Sequence, residues 1–252
     1  MNTAFVANPP CIFFKKERIL AVGDLHIGYE AALVRDGIHV PGAEKGLGAD
    51  ILSAYNKTRA VRIVFLGDVK HSITYPDFME YKLLGEFFRQ FSGIEVHIAK
   101  GNHDSHLYYV LKKVGAEADI GNEIIINGIA FMHGTSLPSE QAMQCRYLVT
   151  AHAHPLVRIA GKQKRAWIVS KTGTGARKRY KKYNKDILLF VAPAANSLVG
   201  GREISPDMKK SSVLFRNGIF NLGSSKVYST EGKLIGTVQK IAKHYVQRKP
   251  PF

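Results

Sequence analysis

RILAVGDLH, residues 18–26, joins four consecutive apolar residues, Ile19 to Val22, to a glycine and two side chains able to bind metal, Asp24 and His26. Four apolar residues without polar alternation predict a strand buried on both faces. Gly23 lets the backbone turn sharply off that strand, so Asp24 can point into whatever lies at its carboxyl end. The same grammar recurs downstream. Ile63–Leu66 runs into GDVKH (Gly67–His71), Val96–Ala99 into GNHD (Gly101–Asp104), Ile129–Met132 into His133 and Gly134, and Tyr147–Thr150 into AHAH (Ala151–His154). Loops of this kind converge on one edge of a sheet, where open α/β folds place their ligands.

Between these strands the apolar spacing turns helical: from about Glu44 to Thr58, through Leu47, Ile51, Leu52 and Tyr55, and from Pro76 to Phe91, with the proline suited to a first turn. Leu107–Val114 reads as a short helix. Strand-like pieces follow at Glu123–Ile126, Leu156–Ile159, Ala166–Val169, Ile187–Val191, Val213–Phe215, Val227–Ser229 and Leu234–Val238. Helices early and strands late predict an α/β chain with two sheets inside and helices outside. One domain over residues 1–252 is expected. The basic run Lys171–Asp186, KTGTGARKRYKKYNKD, reads as a surface loop or insertion, or as a phosphate-contacting arm with Tyr180 and Tyr183 available for stacking. Its GTG lacks the Lys-Ser/Thr of a Walker loop.

Hydrophobic residues at 45% and charged residues at 22% exclude wholesale disorder and fibrous repeats. A net charge of +16 attracts phosphate-bearing molecules, although a lysine-rich surface also serves solubility. Two cysteines, Cys11 and Cys145, are too few for a disulfide framework, which fits a reducing compartment. No apolar run approaches the roughly 18 residues a bilayer span needs, and the first residues lack a secretion signal. A cytoplasmic protein without a membrane partner is therefore expected.

Singly, a D-x-H or H-x-H is most often a turn or a surface pair. Together the motifs offer His26, His133, His152, His154, Asp24, Asp68 and Asn102, a nitrogen and oxygen donor set without thiolate. Such a set suits Mn first, with Fe, Zn, Co or Ni as alternatives, and argues against a closed structural zinc site. Seven donors exceed what one ion requires; two divalent ions sharing a bridging carboxylate account for the excess. Neither cysteine adjoins a histidine motif, and there is no G-x-S-x-G elbow for a covalent nucleophile.

In order and content, D-x-H, G-D, G-N-H-D, H and a final H-x-H, these motifs resemble the calcineurin-like metallophosphoesterase superfamily. GDLHIGYEAALVRDGIHVP and PAANSLVGG are similar to an archaeal branch related to the SbcD-type repair exonucleases, and to bacterial phosphoesterases associated with DNA ligase. The resemblance implies a four-layer α/β/β/α sandwich. It also implies that Asp24, His26 and His154 hold one metal, that Asn102, His133 and His152 hold the other, and that Asp68 bridges them. His103 matches the family's catalytic histidine and Asp104 its orienting partner. Ala151 stands where the family usually has glycine, and Lys70 and His71 stand where many relatives are acidic. Lys70, His71, Arg35 and His106 are the expected substrate contacts.

The expected activity is hydrolysis of phosphodiesters, in nucleic acids or nucleotides, by a hydroxide that the two ions activate, with His103 protonating the leaving oxygen. The alternatives are a phosphomonoesterase or small-molecule nucleotide hydrolase on the same metals, and a non-catalytic RNA- or protein-binding scaffold of the same fold. The presence of all seven donors speaks against the scaffold.

Overall fold

Strands that are apolar on both faces need a covering layer on each side, and the fold supplies both. The structure, a computed structural model, describes residues 2–38 and 46–246. One sheet contains β1 (Thr3–Val6), β2 (Cys11–Phe14), β3 (Ile19–Val22), β4 (Arg62–Phe65), β5 (Glu95–Ala99) and β6 (Asp119–Gly121), in that spatial order. β1 to β3 are antiparallel; from β3 to β6 the neighbours run parallel, with Ala21 opposite Val64 and Val64 opposite His97. Parallel neighbours need crossovers. These are supplied by α1 (Tyr29–Arg35) and α2 (Leu47–Thr58), by α3 (Phe78–Arg89) and by α4 (Leu107–Val114).

The second sheet is built from β7 (Glu123–Ile126), β8 (Ile129–Met132), β9 (Tyr147–Thr150), β10 (Pro155–Ile159), β11 (Lys162–Lys171), β12 (Leu188–Val191), β13 (Arg202–Glu203), β14 (Lys226–Ser229) and β15 (Leu234–Thr237). Its order is β13-β10-β11-β12-β9-β8-β7, with β14 beside β11 and β15 beside β14. On its outer side lie α5 (Glu140–Met143), α6 (Thr174–Arg179), α7 (Met208–Ser211), α8 (Val213–Arg216) and α9 (Val238–Val246).

Side-chain alternation along each strand assigns the layers. In β3, Leu20 and Val22 pack with Ile51, Leu84, Phe87 and Leu111 of α2 to α4, whereas Ile19 and Ala21 face the second sheet. There they meet Phe131, Val149, Trp167 and Phe190, all buried. Phe14 lies edge-on to Phe131 at 5.9 Å and to Phe190 at 6.4 Å, the arrangement aromatic quadrupoles favour. The outer face of the second sheet, including Met132, Leu148, Ile168 and Leu189, packs on Met143, Ala176, Met208, Phe215 and Val238. The result is a four-layer α/β/β/α sandwich, as expected.

Several local expectations are corrected. Pro76 lies outside α3, whose N-cap is Asp77, its carboxylate accepting the Glu80 amide at 2.8 Å. Val213–Phe215 is helical in α8, and Val238 opens α9 rather than closing a strand. The basic run is more than a loop: it carries α6, and Ala176 and Tyr180, four residues apart, enter the core. Tyr180 donates its hydroxyl to the Pro138 carbonyl at 2.8 Å, so it is not free to stack. β1, β2 and α1 were not expected at all. The expected start of the first helix, at Glu44, lies outside the described residues.

Candidate metal centre

All five motif loops leave the carboxyl ends of strands, three in the first sheet and two in the second. β3 delivers Asp24 and His26, β4 Asp68, and β5 Asn102, His103 and Asp104; β8 delivers His133, and β9 His152 and His154. Parallel neighbours β3-β4-β5 and β8-β9 point these ends the same way. The loops are then tied to one another: the His26 amide donates to the Asp68 carbonyl at 2.8 Å, and the Ala151 amide to the His133 carbonyl at 2.9 Å.

Holding so many polar groups together strains the backbone. Asp24, His26, Asp68, His152 and His154 all have left-handed φ angles, between 40° and 65°. A non-glycine residue there costs energy, and such residues gather where geometry serves function.

The side chains converge in two facing groups, Asp24 with His26 and His154, and Asp68 with His133 and His152, the ligand atoms of each lying within 4.8 Å of one another. Proton inventory shows what these groups want. His154 Nδ1 is 3.0 Å from the Gly200 carbonyl and His133 Nδ1 is 2.7 Å from that of Leu66, contacts in which only the imidazole can donate. The Nε2 lone pairs are thereby turned inward, the usual support for a metal-binding histidine. His154 Nε2 meets Asp24 Oδ1 at 3.1 Å; His133 Nε2 meets Asp68 Oδ2 at 3.3 Å and Asn102 Oδ1 at 3.2 Å. His26 Nε2, 3.6 Å from Asp68 Oδ2, is buried without a hydrogen-bond partner. At His154 and His133 acceptor faces acceptor, which only protons or cations can reconcile, and the donor set fits divalent cations.

The balance of burial and charge in the polypeptide alone carries the same conflict. Burial would push His133 down, but Asp68 and Asp24 outweigh it and hold the imidazole at about 9. Burial wins at His26, which falls to about 4 despite the same two carboxylates. Asp68 is held well below the carboxylate range: burial opposes this, but His133 and the His103 amide prevail.

Asp68 Oδ2 lies between the two groups, within 3.6 Å of His26 Nε2 and 3.3 Å of His133 Nε2, while its Oδ1 accepts the His103 amide at 2.9 Å. His103 joins His26 and His71 in a third cluster of ligand atoms. Its Nδ1 contacts the His71 carbonyl rather than Asp104. The Asp104 carboxylate is occupied by backbone amides: Oδ1 accepts those of Val69 at 2.9 Å and Lys70 at 3.4 Å, and Oδ2 that of Gly101 at 2.9 Å. Asp104 therefore braces the loops, and the contact expected from it to the His103 ring is made by the His71 carbonyl.

The four expected substrate contacts separate. His71 stays at the centre, its ring 5.9 Å from those of His26 and His103 and 4.6 Å from that of Tyr29. Lys70 is corrected outright: it is wholly buried, its ammonium enclosed by backbone carbonyls. Arg35 pairs with Asp77. His106 stacks on Tyr75, centroids 4.2 Å apart and planes 15° apart, on the exposed rim. Sequence reasoning missed Glu80, whose Oε1 accepts the amides of His71 and Ser72 at 2.8 and 2.9 Å. A glutamate in a first helical turn carries no signal of that role. It also missed Asn196, which donates to the Leu25 carbonyl at 2.9 Å and secures the D-x-H loop.

One surface cleft adjoins the centre, and a groove lies between two of the helices. A cleft of about 650 Å³ opens beside His26, with Tyr29, Arg165 and Asn196 among its walls. Between α3 and α4 runs a groove of about 770 Å³ lined by Phe78, Tyr81, Lys82, Arg89 and Lys113. Phe78 is 85% exposed there, and Lys113 lies 4.0 Å over the Tyr81 ring.

The family model for calcineurin-like phosphoesterases matches residues 17–214. No curated protein matches the chain. Among solved structures, nuclease MPE of Pseudomonas putida is similar in fold at 17% identity, covering 88% of each chain with a TM-score of 0.57. YfcE, a phosphoesterase from E. coli, aligns at 14% identity over 86% of this chain and 96% of its own, with a TM-score of 0.43.

Proposed function

Because the chain belongs to the calcineurin-like phosphoesterase family, we propose that it hydrolyses phosphodiester bonds with two divalent metal ions, manganese foremost, and that its substrates are nucleic acids or nucleotides. The observation that carries this reading is the pair of facing acceptor groups with Asp68 Oδ2 between them. Asp24, His26 and His154 would hold one ion, Asn102, His133 and His152 the other, and Asp68 both. Ions bound there supply an acidified water and charge neutralisation at the phosphoryl oxygens.

The polypeptide's own contribution is geometry and proton traffic. Gly200 and Leu66 fix the tautomers of His154 and His133, so their lone pairs stay directed at the centre. His103, with Nδ1 held by a carbonyl, is left Nε2 as the nitrogen that exchanges a proton, here with the departing oxygen of the ester. His71, across from His103 and beside Tyr29, lines the approach of the phosphate.

The nucleic-acid part rests on the surface. Lys82, Arg89 and Lys113 in one groove offer phosphate contacts, and exposed Phe78 together with Tyr75 on the rim offers faces on which unpaired bases stack. On α3, Phe78, Lys82, Gly85 and Arg89 recur with helical spacing, a stripe about 16 Å long. This stripe, rather than the Lys171–Asp186 run, is the surface we assign to a substrate strand.

The test is manganese-dependent turnover of bis-p-nitrophenyl phosphate against p-nitrophenyl phosphate, followed by single- and double-stranded DNA, RNA and cyclic nucleotides. Diester turnover that Asp68→Asn abolishes is expected. Faster monoester turnover would select the phosphomonoesterase reading, and oligonucleotide binding without any hydrolysis the scaffold.

A further inference from the structure

Lys70 is the largest fully buried ionisable side chain among the described residues, the proposed chemistry leaves it unused, and it lies beside the centre, two residues after Asp68. Its ammonium has three N–H donors and meets three successive carbonyls: those of Ser72, Ile73 at 3.3 Å and Thr74 at 2.7 Å. A backbone that turns three consecutive carbonyls onto one point satisfies none of them by helix or sheet pairing. Without a cation in the middle, the negative ends of three carbonyl dipoles would converge on one another. The ammonium is therefore the core around which residues 72–74 wrap.

The loop is held from its other sides as well. Glu80, itself buried, takes the amides of His71 and Ser72, and Asp104 takes those of Val69 and Lys70. The His71 amide also donates to the Ile27 carbonyl at 3.0 Å, and Ser105 donates its hydroxyl to the Ile73 carbonyl. What this framework presents to the centre is one backbone group, the His71 carbonyl, against Nδ1 of His103.

We propose that Lys70 is a positioning residue for His103, acting through the loop it organises: its ammonium fixes residues 71–74 so that the His71 carbonyl holds the Nδ1–H of His103. This rests on the reading of His103 as the proton donor. In that step the Nε2–H bond breaks as the leaving oxygen gains its proton, while the Nδ1–H stays on the carbonyl. A loop released from Lys70 lets the imidazole turn or change tautomer, and the donor is lost without any ligand being touched.

The first arm uses wild-type protein without added metal. In 15N imidazole spectra His103 should show the Nδ1–H form when neutral, and the Lys70 ammonium should give a slowly exchanging 15N signal. An Nε2–H form, or a fast-exchanging ammonium, overturns the proposal whether or not any variant folds. The second arm compares Lys70→Met and Lys70→Arg with wild type on manganese-loaded protein, using diesters with a phenoxide and with a dinitrophenoxide leaving group. Proton donation matters for the poor leaving group alone, so kcat for the phenyl ester should fall about 10- to 100-fold in Lys70→Met with KM little changed. The dinitrophenyl ester should lose less than about threefold, and Lys70→Arg should fall between. Equal losses on both esters would assign Lys70 a merely structural role and refute the proposal. A wild type inert on both esters refutes the phosphoesterase reading instead, and the spectra still decide whether Lys70 sets the state of His103.

Discussion

Replacing Gly67 by alanine tests how closely the metal loops are fitted. Gly67 has φ +83°, and a Cβ there would lie 2.6 Å from the Gly101 nitrogen, 2.7 Å from His133 Nδ1 and 2.8 Å from the Ala99 carbonyl oxygen. The left-handed backbone alone costs a side chain about 1–2 kcal/mol. Two of the three obstructing atoms are backbone, and forcing extra volume on a packed site costs about 1–3 kcal/mol more. Gly93 separates the two contributions, because its φ is +77° but a Cβ would meet nothing within 4 Å. Urea unfolding in EDTA should therefore show Gly67→Ala less stable than Gly93→Ala by about 1–3 kcal/mol. Calorimetric manganese titration should show weakened binding in Gly67→Ala only, since its methyl displaces His133 from the Leu66 carbonyl. Equal stabilities with equal manganese binding would refute the claim that the G-D and G-N-H loops are in hard contact.

Other consequences can be measured as directly. With His133 held at about 9 in the polypeptide alone, its protonation stabilises the fold fully below the unfolded value near 6.5 and no longer once pH has risen through about 9. The melting temperature of EDTA-treated protein should fall across that window while apparent manganese affinity rises, because the ion displaces the His133 proton; a melting temperature that climbs with pH contradicts this. Tyr180→Phe should cost about 1 kcal/mol in urea unfolding, for the buried hydroxyl lost at Pro138, and leave oligonucleotide affinity unchanged. Weaker oligonucleotide binding would return the basic run to the substrate path. Burial pushes the Cys11 thiol far up and raises Cys145 as well, so a thiol reagent should label neither in native protein and both in denaturant; prompt native labelling would show that either site opens.

Much of the centre was legible because each motif is local: a strand apolar on both faces, a glycine that permits the turn, then a side chain able to bind metal. Asp24, Asp68 and Asn102 could be read in this way without knowing which strands are neighbours, whereas His133 follows its strand directly and has its glycine after it. What escaped reading depends on tertiary partners. Val213–Phe215 is three apolar residues, too short a run to separate helix from strand. β11 begins at Lys162, yet its first four residues are polar or charged, and only pairing with β10 makes them a strand. In the Lys171–Asp186 run the charges hid the i, i+4 pair Ala176 and Tyr180 that carries it into the core. Lys70 shows the limit most clearly: charge predicts a solvent-facing contact, whereas three backbone carbonyls turn the side chain inward.

The donor set is divided between the two sheets: Asp24, His26, Asp68 and Asn102 stand on one, His133, His152 and His154 on the other. An ion gripped from both sides is a rivet through two plates, and its grip depends on how those plates are aligned across the shared aromatic filling around Phe14, Phe131 and Phe190. Slippage of the plates by a fraction of an ångström would spoil the grip long before the plates separate. Loss of bound cation should thus be the earliest sign of damage anywhere in that filling, however far from the loops the damaged residue sits.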